Sequence, residues 1–132
     1  MDTLELLLNA KPSKLPEKDY KSKRLSEECG GDVVFKLRAL PFSRVAEIRK
    51  LDDENQSVHI ILAGVVSPDL KTPALLQKYD AVTPAELVQR MFLPGELDEL
   101  ALCIEQLCGY RINTLEEVSE VKKNSEETQN IS

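Results

Sequence analysis

The chain has 132 residues, 30% of them charged, and a formal charge of −6. That length holds one small domain, and the acidic balance argues against nucleic acid as a partner, because gripping phosphates needs a basic face. No apolar run reaches the roughly 18 residues of a membrane span; the longest, Val58 to Val66, is interrupted by His59.

Charge is uneven. Lys11, Lys14, Lys18, Lys21, Lys23 and Arg24 crowd the N-terminal stretch, whereas Glu116, Glu117, Glu120, Glu126 and Glu127 load the C-terminal end. Such runs are normally solvated surface. The first residues, Met1 to Leu8, carry acids where a secretory signal carries positive charge, so no export is expected. Cys29, Cys103 and Cys108 are odd in number and lack CxxC spacing, which points to reduced, cytosolic thiols rather than a disulfide framework or a zinc site.

In chain order, the first nine residues read as a short helix with Leu4, Leu7 and Leu8 on one side, followed by an extended connector at Lys11-Pro12-Ser13-Lys14-Leu15-Pro16. Two strands are expected next, Tyr20 to Leu25 and Asp32 to Leu40, joined by a tight turn at Gly30-Gly31. In the second, Val33, Phe35, Leu37 and Ala39 alternate with Val34, Lys36, Arg38 and Leu40. Pro41 ends it, and Ser43 is placed to cap a helix carrying Val45, Ile48 and Leu51 that runs to about Asp52. The stretch from Ser57 to Val66 fits either a buried strand or a helix, and the stripe Val58, Ile61, Leu62, Val65 and Val66 favours the helix. Ser67-Pro68-Asp69 stops it.

Two more helices start at Thr72-Pro73 and Thr83-Pro84, threonine capping and proline filling the first turn. At the second, Thr83 and Glu86 form a capping-box pattern and Val82 is placed to staple against Leu87. After a break at Leu93-Pro94-Gly95, a final helix buries Leu97, Leu100, Ala101, Ile104, Leu107 and Cys108 and ends at Gly109 in left-handed geometry. Beyond Thr114 only Leu115, Val118 and Val121 could make a stripe, and Lys122 to Ser132 reads as disordered. The sum is an α+β fold, mostly α-helical: an N-terminal β-hairpin packed on a bundle of about five short helices. Residues 1–18 form a flexible arm with a short helix, 19–112 the globular domain, and 113–132 an acidic, largely disordered tail.

Catalytic chemistry finds little here. His59 is the one histidine and has no cysteine or carboxylate at ligand spacing, so neither a metal nor a triad is indicated. Asp52-Asp53-Glu54 lacks the alternating acids and turn glycine of a calcium loop. No spacing among the five glycines matches a phosphate-cradling loop, so no cofactor is indicated. Glu96, Asp98, Glu99 and Glu105 lie off the apolar stripe of the last helix, in water. No catalytic residue is assigned. Phe92, Leu93, Leu102 and Tyr110 fall outside the core stripes and are the candidate partner-binding residues, the competing reading being that they are buried or scattered.

From Lys23 to Tyr110 the chain resembles the tail assembly chaperones of long-tailed bacteriophages and prophages, in the branch associated with contractile tails of Gram-positive hosts. The likeness rests on a leucine-rich leading segment, Lys23-Arg24-Leu25, Phe35-Lys36-Leu37-Arg38-Ala39-Leu40-Pro41, Val66-Ser67-Pro68-Asp69-Leu70 and Leu75-Leu76-Gln77-Lys78-Tyr79-Asp80. It continues through Thr83-Pro84-Ala85-Glu86-Leu87, Met91-Phe92-Leu93-Pro94-Gly95-Glu96 and Ile104-Glu105-Gln106-Leu107-Cys108-Gly109-Tyr110. The resemblance implies a non-enzymatic assembly factor of the host bacterial cytoplasm, absent from the mature virion, that binds the tape measure protein and recruits tail tube subunits. A longer frameshifted product is also common in such a family. The competing class is a small regulatory or antitoxin-like module whose ends fold onto one partner. Self-association through an open strand edge is open to either.

Overall fold

The computed structural model describes residues 1–119, and among them it has seven helices and one three-stranded sheet. The chain runs α1 (Thr3–Asn9), β1 (Glu17–Lys21), α2 (Lys23–Cys29), β2 (Val34–Arg38), α3 (Phe42–Arg49), α4 (Asp53–Gly64), β3 (Val65–Ser67), α5 (Pro73–Lys78), α6 (Pro84–Met91) and α7 (Pro94–Leu107). The mostly helical α+β architecture expected from the sequence is therefore what the chain adopts. The reading of Lys122 to Ser132, and of Val121, lies outside the described residues.

β2 is the central strand and pairs antiparallel with β1 and β3. Alternation explains why. Phe35 and Leu37 are buried on the helix side, while Asp19 pairs with Lys36 across the other face at 3.2 Å. The strand pair forms as expected, but its connection is not a two-glycine turn. Ser22 ends β1 and caps a helix, its Oγ accepting from the Leu25 N–H at 3.3 Å. The segment Lys-Arg-Leu-Ser-Glu-Glu that follows is made of helix formers and capping-compatible residues, so the backbone bonds locally instead of extending to Leu25. Gly30 then serves as the left-handed C-cap of α2, with φ of 72°. Ser26 closes the unit: its Oγ accepts from the Val33 N–H at 2.9 Å and sets the start of β2.

Three boundaries also move. α3 begins at Phe42 with Pro41 in the cap position, so Ser43 lies inside the first turn, and the helix ends at Arg49. The ambiguous segment divides: it is helix to Gly64 and strand from Val65, because β2 offers Val65 an open edge. α7 starts at Pro94, three residues before the apolar stripe begins, by the same proline-first grammar as α5 and α6. Thr83 caps α6 through its Oγ and the Glu86 N–H, whereas Val82 is exposed and staples nothing. Gly109 has the expected positive φ, 97°.

The core lies where α4, α6 and α7 meet the inner face of β2, around Leu37, Ile61, Leu87, Val88 and Ile104. α4 and α7 touch at Gly64. A Cβ there would stand 2.6 Å from Ile104 Cδ1 and under 3 Å from two more Ile104 carbons. Arg24 ties the outer elements to this core. Its Nε and one terminal nitrogen donate to Glu96 at 3.0 and 2.8 Å, and that terminal nitrogen also donates to the Met91 carbonyl at 2.8 Å. Glu96 in turn accepts from the Leu93 N–H at 2.7 Å, so one carboxylate both caps α7 and holds α2 against the α6–α7 corner. The Arg24 hydrogen bonds hold the Glu96 carboxyl below its usual value, against an opposing effect of partial burial.

Two outcomes are expected. Gly64→Ala should lower stability by about 1–3 kcal/mol through overpacking, although alanine in a helix is otherwise favoured by about 1 kcal/mol. Ile104→Val in the same chain, which removes the nearest atom, should recover part of the loss in denaturant melts. Because the folded-state pKa of Glu96 is depressed, its contribution is fully present above the usual carboxylate value of 4.5 and is lost as pH falls through the lower folded value. Glu96→Gln should therefore flatten the fall of the melting temperature below that pH, and an unchanged acid limb would show that the pair contributes nothing.

Candidate functional site

The four residues singled out on sequence end in different surroundings. Phe92 is a core residue, 5% exposed, with its ring 5.3 Å from that of Phe35. This corrects its placement outside the core: the chain turns extended at the α6 C-cap and drives the ring inward. Leu93 at the head of α7 is 54% exposed, and Leu102, about two and a half turns further along, is 37% exposed. Tyr110 is half-buried beyond the C-terminal end of α7, with the Arg49 guanidinium 4.9 Å from its ring centroid. α7 thus displays two of the four as open apolar surface and covers the others.

Phe42 was not identified on sequence and is 89% exposed. It continues the spacing of Val45 and Ile48, so periodicity assigns it to the core stripe. Only the position of the first turn of α3 relative to the core leaves it outside. Ile112 is exposed as well, just past the end of α7.

A groove of about 300 Å³ opens between the end of β1, α2 and α7. Phe35, Phe92, Leu100, Tyr20 and Cys103 give it an apolar interior, and a mixed-charge margin is lined by Lys23, Glu99, the Arg24–Glu96 pair and Lys21, itself paired with Asp32 at 3.3 Å. Burial raises the Tyr20 phenol, with Cys103 adding to the effect. Burial and then Glu99 raise the Cys103 thiol, against smaller opposing contributions from Tyr20 and Lys18. Both groups are protonated at neutral pH, so the groove presents surface for contact and no activated nucleophile. The other half-buried thiol is structural: Cys108 Sγ accepts from the Leu40 N–H at 3.2 Å and joins the end of α7 to the chain after β2. Cys29 is exposed. His59 is half-buried on α4. Among the described residues no three His, Cys, Asp or Glu side chains stand together as a metal-ligand group, and no helix is long and apolar enough to cross a membrane.

Comparison with known proteins places this arrangement. The crystal structure of the protein YqbN superposes with a TM-score of 0.66 at 22% identity, covering 83% of this chain and 98% of that one. At that identity the likeness is one of fold. No curated protein matches the chain significantly. The family model for phage XkdN-like tail assembly chaperone proteins matches residues 49–122, from the end of α3 through α7. The match spans more than half of the chain and includes the α4, α6 and α7 core, and the chain belongs to the phage XkdN-like tail assembly chaperone family.

Proposed function

We propose that the protein binds the tape measure protein during tail morphogenesis in the host cytoplasm, holds it soluble, and recruits tail tube subunits, without becoming part of the mature virion. Family membership is the observation that carries this reading. The surface accords with it. Leu93, Leu102 and Phe42 stand open to solvent on helices whose inner faces are already committed to the core. Long helical proteins awaiting assembly expose apolar stripes, and a partner that covers them needs apolar side chains on rigid elements. The net charge of −6 keeps such a partner soluble and prevents copies on one long chain from collapsing together.

Modest affinity at each site suffices for this role. Many copies along one extended partner gain avidity, while each remains displaceable by an arriving tube subunit. The reading needs no bond-making chemistry, and the groove with its protonated thiol and phenol is in keeping with contact alone.

The test is co-expression with the tape measure protein encoded in the same tail gene cluster, followed by purification and native mass measurement. A soluble complex holding many copies per tape measure chain is expected from the wild type. Leu93→Asp with Leu102→Asp should reduce the copies bound severalfold and leave the melting temperature near that of the wild type, since both side chains are exposed. Phe92 is left intact because its loss would open the core. A tape measure protein that stays insoluble and unbound beside the wild-type chain would sink the reading and favour a regulator of a single partner.

A further inference from the structure

The corner between α6 and α7 is made by two residues. α6 ends at Met91 and α7 begins at Pro94, so Phe92 and Leu93 alone connect them. Both are extended, with φ and ψ of −109° and 149° at Phe92 and −71° and 153° at Leu93. Consecutive extended residues project to opposite sides of the chain. The Phe92 ring is accordingly 5% exposed in the core while Leu93, one position on, is 54% exposed. The direction of Leu93 is therefore set by the peptide groups on either side of Phe92.

One network holds both groups. The carbonyl before Phe92 belongs to Met91, in the last turn of α6, where a helix leaves carbonyls without internal partners; it accepts from Arg24 Nη2 at 2.8 Å. The N–H after Phe92 belongs to Leu93 and donates to Glu96 Oε1 at 2.7 Å, and that oxygen accepts from the same Arg24 Nη2 at 2.8 Å. Arg24 Nε donates to the other Glu96 oxygen at 3.0 Å, and Nη1 donates to Glu28, one turn along α2, at 2.6 Å. Every guanidinium nitrogen thus has an acceptor, and the plane of the group is fixed. A planar fork can do this, whereas a lysine ammonium is a point donor on a flexible stem.

We infer that Arg24 is a positioning residue for partner binding: from α2 it fixes the corner in the conformation that turns Leu93 outward to the tape measure protein. The inference rests on the function proposed above, in which Leu93 is a contact. Arg24 lies outside residues 49–122, so the presentation of Leu93 is governed from a part of the chain that the family model does not match. Leu102, about two and a half turns further along α7, is beyond the reach of the corner and serves as a control.

Two measurements test this. In the purified chain, Arg24→Ala should speed amide exchange of the Leu93 N–H by about tenfold or more, and by a larger factor than at Ile61 and Ile104, whose exchange reports opening of the core. Arg24→Lys, which keeps the charge and is the milder substitution, should fall between wild type and Arg24→Ala. Equal factors at Leu93 and in the core would reduce Arg24 to a contributor to overall stability and overturn the inference. The second measurement is the dissociation of copies from the complex with co-expressed tape measure protein, followed by native mass as isotope-labelled wild-type chain replaces them. Arg24→Ala and Leu93→Ala should each raise the rate by roughly fivefold, and the double variant should match Leu93→Ala alone to within about twofold, because Arg24 acts through Leu93. Arg24→Ala with Leu102→Ala should instead multiply the two single effects. Effects that multiply in both pairs would mean a general loosening of the fold and overturn the inference, as would an Arg24→Ala chain that dissociates at the wild-type rate. A wild-type chain that binds no tape measure protein overturns the functional reading and this inference together, whereas each of the other adverse results leaves that reading standing.

Discussion

The contact between Gly64 and Ile104 is the constraint on which the arrangement of the rest depends. Where α4 meets α7 there is no room for a single additional carbon, so the two longest helices approach as closely as a missing side chain allows. That approach buries Ile61 and Ile104 completely and gives α6 a surface on which Leu87 and Val88 are also fully enclosed. It also sets the direction of the chain at residue 64. α4 ends there, and Val65 emerges beside β2 in position to extend the sheet. The chain thus passes straight from helix to sheet at residue 64, while the inner face of β2 packs on the helices through Phe35 and Leu37 and the charged outer face stays in water.

A second layer of organisation is polar. Arg24 and Glu96 are 72 positions apart in sequence yet share two hydrogen bonds, and each makes a further bond to the backbone or to a neighbour at the α6–α7 corner. Burial in a dry core would make such a pair costly. Here both side chains keep partial contact with water, so the pair orients elements with little desolvation penalty. Its geometric effect is larger than its energy. By holding α2 beside α7 it shapes the groove whose interior is floored by Phe35 and Phe92, and it removes two charges that would otherwise dominate the groove margin.

The surface divides into apolar side chains that the core has no room for and charges that keep the chain dissolved. Phe42, Leu93 and Leu102 sit on helices with fixed positions, whereas the leucines of α1 sit on an arm that touches no core. The rigid surface suits recognition of an ordered partner helix at low entropic cost.

The sequence by itself determined the alternation of β2, the proline-first helices α5 and α6, the left-handed stop at Gly109 and the family resemblance, because each depends on residues close together along the chain. Tertiary structure decided the rest. Whether residues 57–66 were helix or strand depended on a strand edge that only the folded sheet provides, and the answer was both in succession. Phe92, which spacing left outside the core, is buried, and Phe42, which the sequence reading did not single out, is exposed, since burial of an aromatic at a helix end is set by what lies opposite it rather than by its own period. The first three residues of α2, Lys23 to Leu25, fell in an expected strand because the Ser22 cap turned the backbone into a helix where the pattern read as extended. Gly64 and the Arg24–Glu96 pair gave no local sign at all, for a close approach and a long-range ion pair exist only between segments that folding has brought together.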